Sequence, residues 1–545
     1  MRAALIYLTS ILIMILCIPM GCALVYALLD HQGPSALGDD GYALLTTIAM
    51  GVTVGGIGYR SQAAQGVTAQ IKPHDSFLIV TVTWVVAALF GALPYFLYAL
   101  FTHQGCGFFD TPPPPQALGG EFCSFTNAFF ESMSGFTTTG ATVIERGLWH
   151  SYSDGVGYLA DGQVGLPRSV MLWRCFTHLL GGMGIVVLGV AILPVLGVGG
   201  MKLYHAEVPG PINEQFAPRV GEGAKLLWKI YGLMTVSLAT LYWIFGMDFF
   251  EALCHSMSTM ATGGFSTRAQ SFAGFESTSL EWITIVFMFL AGVNFTLYTL
   301  MRAHWRHPLK VLKSFKGNGE LITYIMIVIV SSIIIGVALA SHGDLPGHEN
   351  PVRTAAFQVL SVITTTGYAT ADFEVWGAAP VALFIMITLM FIGGCAGSTG
   401  GGVKVIRHLL LCRFCLREFF YLLHPTGKKS IRNDKTVISP EILRAVVGFI
   451  ALYILIFMLG SFYFVLEGQD VVTAFTVTIA SLGNIGPGLS EVGPTDDFSG
   501  LSAIGTWVSS ALMLMGRLEL LTVMILFTPA YWHARSRSRV HAHLD

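Results

Sequence analysis

The sequence predicts an all-α polytopic membrane protein, with two N-terminal spans followed by four span–pore loop–span repeats around a central ion pathway. Three observations carry this expectation. Apolar residues make up 53% of the chain and charged residues only 11%, whereas soluble domains are about one-quarter charged. Apolar runs of roughly 20 residues, long enough to cross a hydrocarbon core about 30 Å thick, recur along the whole chain. Between them lie four short segments that share one pattern, an amphipathic helix followed by a small-residue turn containing glycine.

The apolar runs fall near 4–29, 41–59, 77–100, 169–198, 226–245, 282–300, 321–340, 381–407, 443–466 and 503–527. The first continues past the roughly 7–15 apolar residues of a secretory signal and reads as a retained span. Orientation follows from the basic residues, which concentrate in cytoplasmic connections. Arg302, Arg306, Lys310, Lys313 and Lys316 fill one connection, and Lys404, Arg407, Arg413, Arg417, Lys428, Lys429, Arg432 and Lys435 fill another. Together with Arg535, Arg537 and Arg539 they all fall on one face if both termini are cytoplasmic. Setting topology accounts for these clusters, so nucleic acid is not an expected partner and the lipid bilayer is.

Cysteine spacing points to no zinc site. Cys412 and Cys415 read as a reduced pair at the inner face. Cys106 and Cys123 share the outward segment beside Pro112–Pro115, where a disulfide is permitted but not required. No HExxH, P-loop or GxSxG motif is present, so no enzyme activity or prosthetic group is expected.

The four turns centre on Thr138-Thr139-Gly140, Ala261-Thr262-Gly263, Thr365-Thr366-Gly367 and Leu482-Gly483-Asn484. Two spans separate each turn from the next, so all four enter from the same side and can surround one axis. Glycine tolerates positive φ, which lets successive carbonyls face a dehydrated cation. Helices ending at the turns would aim about half a negative charge each into the pathway. Against the potassium-filter pattern TVGYG, only the first glycine is expected in every turn, with correspondingly looser ion discrimination. The repeats are expected to divide the chain into a two-span segment (1–75) and four units (76–205, 206–318, 319–436 and 437–545).

The eighth run is broken by Gly393, Gly394, Gly397, Gly400, Gly401 and Gly402, six glycines in ten residues. Each costs a helix roughly 0.5–1 kcal/mol relative to alanine, so an unwound loop is expected inside the membrane. Arg517 lies near the middle of the last run, where a charge costs about 2.5–3.5 kcal/mol even on the lenient insertion scale. Counting residues from the outer edge puts it level with the glycine loop, and the two are expected to form a gate. Glu131, Arg174, His178 and Glu251 are expected near helix ends, where hydrogen bonds or snorkelling explain them.

With these features the chain resembles the Trk/Ktr superfamily of potassium uptake proteins, and its TrkH branch more closely. Gly181-Gly182-Met183-Gly184, Gly199-Gly200-Met201, Pro209-Gly210-Pro211 and Gly516-Arg517-Leu518-Glu519 are similar to family signatures. The resemblance implies a homodimeric subunit of the bacterial inner membrane, with K⁺ held at the filter residues and a cytoplasmic nucleotide-binding TrkA-type ring as gating partner. A symporter coupled to Na⁺ or H⁺ is the alternative, and the residues leave the coupling open.

Overall fold

A computed structural model of the chain describes residues 2–30, 37–63, 73–102, 106, 120–144, 166–191, 220–303, 315, 317–343, 345, 350–433 and 436–533. The 199–211 signature, the 111–115 proline run and the basic residues at 306, 310, 313, 316, 435, 535, 537 and 539 lie outside them.

Two antiparallel long helices open the chain, α1 (Arg2–Asp30) and α2 (Asp39–Ala63). Small residues let them close on one another, as in membrane helix pairs generally. A Cβ added at Gly58 would lie 2.2 Å from Ser10 Oγ, and one at Gly55 would lie 2.8 Å from Met14.

A long helix, a short one and a second helix then follow one another four times. The first unit comprises α3 (Pro73–Thr102), α4 (Phe125–Phe136) and α5 (Arg168–Ala191). The second comprises α6 (Val220–Ile244), α7 (Phe249–Met260), α8 (Thr278–Ala291) and α9 (Phe295–Ala303). The third comprises α10 (Gly319–Ala340), α11 (Pro351–Ile363), α12 (Pro380–Met390) and α13 (Val405–Leu423). A hairpin of two-residue strands, Arg432–Asn433 and Thr436–Val437, leads to the fourth, with α14 (Pro440–Glu467), α15 (Val471–Gly483), α16 (Ala503–Arg517) and α17 (Leu521–Met524).

The short helices α4, α7, α11 and α15 run 12 or 13 residues each, too short to cross a bilayer. Three begin on a side-chain cap: Asp248 accepts from Phe250 N–H, Asn350 from Arg353 N–H and Asp470 from Thr473 N–H. Each short helix packs between the two helices of its own unit and also against the second helix of another: α7 on α5, α11 on α8, α15 on α12 and α4 on α16. These contacts return to their starting point after four steps.

Among the described residues five helices, α1, α2, α3, α10 and α14, are long and apolar enough to span a membrane, and α8 with α9 and α16 with Leu521–Phe527 reach that length and hydropathy only as pairs bent by 90° and 110°. Ten apolar runs were expected, the eighth broken at its glycines, and two of the others need correction. The runs at 282–300 and 503–527 are sharply bent, the second where Glu519 and Leu520 adopt φ of 57° and 37°. The run at 381–407 is two helices separated by the glycine loop, the break that its six glycines predict. Apolar side chains such as Ile18, Ile57, Ile333, Leu459 and Phe462 are exposed on the periphery, as a lipid-facing surface requires, whereas Glu131, Arg174, His178, Glu251 and Arg517 are buried inside. The chain is therefore an all-α, multi-pass membrane protein.

Cys106 and Cys123 are joined in a disulfide, leaving seven free cysteines of the nine. Alkylation of the denatured protein without reductant is expected to label seven thiols, and nine after reduction. Replacing Cys106 and Cys123 by serine together should lower stability by about 3 kcal/mol, from the loop closed by the bridge; labelling of all nine without reductant would contradict the pairing.

Candidate functional site

The four short helices end alike. The amides of Thr138, Thr262, Thr365 and Asn484 donate three residues back, to the carbonyls of Gly135, Thr259, Val362 and Ser481. The next amides, of Thr139, Gly263, Thr366 and Ile485, donate five residues back, to Ser134, Ser258, Ser361 and Ala480. This paired closure is the Schellman motif, whose left-handed position is usually glycine. Here it is occupied by Thr138, Thr262, Thr365 and Asn484, with φ of 52°, 54°, 57° and 54°. β-Branched residues rarely adopt this conformation.

Two residues further on stands a left-handed glycine in each loop: Gly140, Gly264, Gly367 and Gly486, with φ of 80°, 83°, 79° and 99°. A Cβ at Gly140 would lie 2.1 Å from the carbonyl oxygen of Gly263, one at Gly264 2.0 Å from that of Thr366, and one at Gly367 2.1 Å from that of Ile485. At Gly486 it would meet the carbonyl oxygen of Thr139 at 2.7 Å. Each loop's glycine thus abuts the carbonyl just before the next loop's glycine, and the fourth returns to the first.

This geometry corrects the register read from the sequence in two loops. The left-handed glycine of loop two is Gly264, not Gly263, and that of loop four is Gly486, not Gly483. Ala261 caps α7, and Leu482 and Gly483 belong to the last turn of α15. In this register Gly488 occupies the place of the second glycine of the TVGYG pattern in loop four. Gly264, Ile485 and Gly486 are the residues the sequence reading missed. Counting the two left-handed positions from the helix end, rather than aligning one glycine, would have found them. All four left-handed glycines line one cavity of about 70 Å³ on one side of the loops.

Side chains seven residues before each left-handed threonine in loops one to three pin the strand leaving the loop. Glu131 accepts from Thr142 Oγ1 at 3.1 Å and Val143 N at 3.2 Å. His255 Nε2 meets Ser266 Oγ at 3.0 Å, and Gln358 Nε2 donates to the Ala371 carbonyl at 3.0 Å. Glu131 also pairs with Arg174 at 2.5 Å, and Glu251 with Arg268 at 2.9 Å. Arg174 and Glu131 are 2% and 0% exposed, so of the two explanations expected for them, hydrogen bonding and snorkelling, the pair takes the first. His178 is equally buried, its Nδ1 3.0 Å from Ser258 Oγ.

On the other side of the loops from this cavity, the segment between α12 and α13 carries Gly393, Gly394, Gly397, Gly400, Gly401 and Gly402 through the protein interior. Its fastenings come from separate elements. The Gly401 amide donates to Thr365 Oγ1 at 2.7 Å, the Ala396 amide to Glu320 Oε1 at 2.6 Å, and the Cys395 amide to the Gly292 carbonyl at 2.9 Å. Lys404 Nζ caps the Gly400 and Gly401 carbonyls. Arg517 reaches the same segment, donating through Nη1 to the Thr399 carbonyl at 2.8 Å and through Nη2 to the Gly181 carbonyl at 3.1 Å. Just past it, Glu519 pairs with Arg407. Among the described residues no cluster of three His, Cys, Asp or Glu side chains could hold a metal.

Four short helices, each ending in a buried loop, inside a bundle of apolar helices define the class, a multi-pass helical membrane protein. The family described as TrkH, cation transport protein, matches residues 68–534. The TrkH potassium uptake protein of the Trk system in Halomonas elongata is 38% identical over 501 residues, covering 91% of this chain and 94% of that protein. Its namesake in Escherichia coli K12 is 37% identical over 473 residues, covering 85% and 87%. The crystal structure of the potassium transporter TrkH from Vibrio parahaemolyticus superimposes with a TM-score of 0.80 at 33% identity, covering 98% of this chain and 100% of that one. The chain belongs to the TrkH family of cation transport proteins, and that family is one of transporters, not enzymes.

Gly486→Ala and Gly483→Ala should separate the two registers. Alanine at 486 takes on a left-handed conformation costing about 1–2 kcal/mol in addition to the clash with Thr139, and should lower the melting temperature of the purified protein clearly. Alanine at 483 meets only the flexible end of Ile485 at 3.0 Å and the Met390 carbonyl at 3.4 Å and should be mild. The reverse order of melting temperatures would restore the sequence register.

Proposed function

We propose that this protein takes up potassium across the bacterial inner membrane through a cation-selective pore on the axis of the four loops. The observation that carries the reading is the cyclic approach of Gly140, Gly264, Gly367 and Gly486 to the carbonyls of Gly263, Thr366, Ile485 and Thr139, which brings uncharged backbone oxygens around one axis. Such oxygens can replace the hydration shell of a potassium ion. The four short helices point their C-terminal ends at this ring, adding negative potential that favours cations. Family membership and the names of the relatives support potassium as the transported ion.

In this reading the filter comprises Thr138, Thr139 and Gly140, then Thr262, Gly263 and Gly264, then Thr365, Thr366 and Gly367, and last Asn484, Ile485 and Gly486. The glycine segment from Gly393 to Gly402 and Arg517 form the gate. The contact of Arg517 with Thr399 beneath the ring supports a closed arrangement, since a fixed guanidinium there repels an entering cation. The protein works as a homodimer with both termini cytoplasmic, and a nucleotide-binding TrkA-type ring on that face displaces the glycine segment. The resemblance supports these assignments.

Potassium flux into proteoliposomes containing this chain alone tests the reading. Arg517→Ala should raise flux at least about tenfold, equivalent to 1.4 kcal/mol of barrier, without any partner. Flux should follow the potassium gradient and voltage. Unchanged flux in Arg517→Ala would remove the gate, and a requirement for Na⁺ or H⁺ as co-ion would replace the pore with a symporter.

A further inference from the structure

The strands leaving the four loops are not held in the same way. In loop three the pin is a neutral amide, Gln358 to the Ala371 carbonyl at 3.0 Å, and in loop four a hydroxyl, Thr476 to the Leu489 carbonyl at 3.1 Å. In loop one it is a carboxylate. Glu131 holds both the Thr142 hydroxyl and the Val143 amide, and is itself held by Arg174.

Arg174 extends this grip to the neighbouring loop. Its Nη1 donates to the Ser266 carbonyl at 3.3 Å, and its guanidinium carbon lies 3.4 Å from the centre of the Phe265 ring. Thr142 and Ser266 occupy equivalent places, each two residues past the left-handed glycine of its loop. One buried ion pair therefore ties matching points of two adjacent loops.

We propose that Glu131 and Arg174 are a positioning pair that sets ion discrimination by the first two loops, an inference that rests on the filter reading above. Discrimination between cations of different radius needs carbonyl oxygens that resist drawing inward around the smaller ion. Charge-assisted hydrogen bonds are shorter and stronger than neutral ones, so they resist that movement more. The pair also has an electrostatic function. Arg174 lines the cavity that the four glycines share, and Glu131 cancels a charge that would otherwise oppose cation entry. Loops three and four carry no such arginine in the equivalent contact among the described residues, so discrimination is concentrated on one half of the ring.

The test uses the full-length chain in proteoliposomes, measuring K⁺ and Na⁺ uptake with the melting temperature of each variant as a folding control. The double variant Glu131→Gln/Arg174→Met is neutral and removes the tie without leaving a buried lone charge, so it remains interpretable if either single variant fails to fold. It should keep K⁺ uptake while the K⁺ over Na⁺ ratio falls at least about fivefold, within the range of coupling between contacting residues. Glu131→Asp, which keeps the charge but shortens its reach, should give an intermediate ratio. A structural role alone would lower both ions together and leave the ratio unchanged. A wild-type ratio in the folded double variant, beside a Gly486→Ala variant that has lost uptake, overturns the pair's role alone. Unchanged uptake and selectivity in Gly486→Ala would instead overturn the filter reading on which it rests.

Discussion

Four backbone segments approach one another so closely at the centre of this protein that no side chain fits between them. Every one of the four left-handed glycines abuts a carbonyl oxygen of the next loop, and the outer scaffold exists to hold that approach. Close packing of this kind cannot be supported by irregular backbone alone inside a membrane, where unsatisfied polar groups cost several kcal/mol each. The short helices solve the problem by ending in Schellman closures that satisfy their own carbonyls. Each is wedged between the helices of its own unit and one helix of its neighbour, so the position of every loop depends on two units at once.

The residues preceding those glycines carry strain that needs a reason. Threonine in the left-handed region costs of order 1–3 kcal/mol, and glycine at Thr262, Thr365 or Asn484 would relieve it. Their side chains supply the compensation. Thr365 Oγ1 accepts the Gly401 amide, Thr262 Oγ1 lies 3.3 Å from Thr399 Oγ1, and Asn484 Nδ2 donates to Thr139 Oγ1 at 3.0 Å. The same backbone turn that presents oxygens to the axis thus aims hydroxyls at the glycine segment below and an amide at the neighbouring loop. Replacing these residues with glycine would ease the turns and remove these contacts.

Much of this was legible in the sequence, and the parts that were not share a physical cause. Composition and run length gave the membrane class because lipid imposes a uniform requirement on every span. Arg517 and the glycine cluster stood out because each is costly where it lies, and the structure brings them into contact. The loop register was not legible in loops two and four, since Gly263-Gly264 offers two candidates and Gly483 sits near a helix end where glycine is common. Backbone conformation distinguishes them; residue type does not. The equivalence of Glu131, His255 and Gln358 was hidden for a related reason. The shared feature is a polar group able to reach the exit strand, and three different side chains meet it. The bends at Gly292 and at Glu519-Leu520 were likewise invisible in an apolar run that continues across them.

The glycine segment is held at several points by hydrogen bonds and is also anchored through Ala396 in a small second core with Ile406, Leu410, Ile431, Ile438, Leu443 and Val446. That core reaches from the membrane interior to the short hairpin beyond α13, on the face where the basic residues gather. Each hydrogen bond is worth only about 0.5–1.5 kcal/mol net, so the segment is fastened by many weak contacts and not by one strong one. The second core joins α13 to the segment at Ala396, and the Arg407–Glu519 pair joins α13 to the residues just past Arg517. The segment is thus joined at one end to the second core through Ala396 and at the other to the loops through Thr365, so its position is shared between the two.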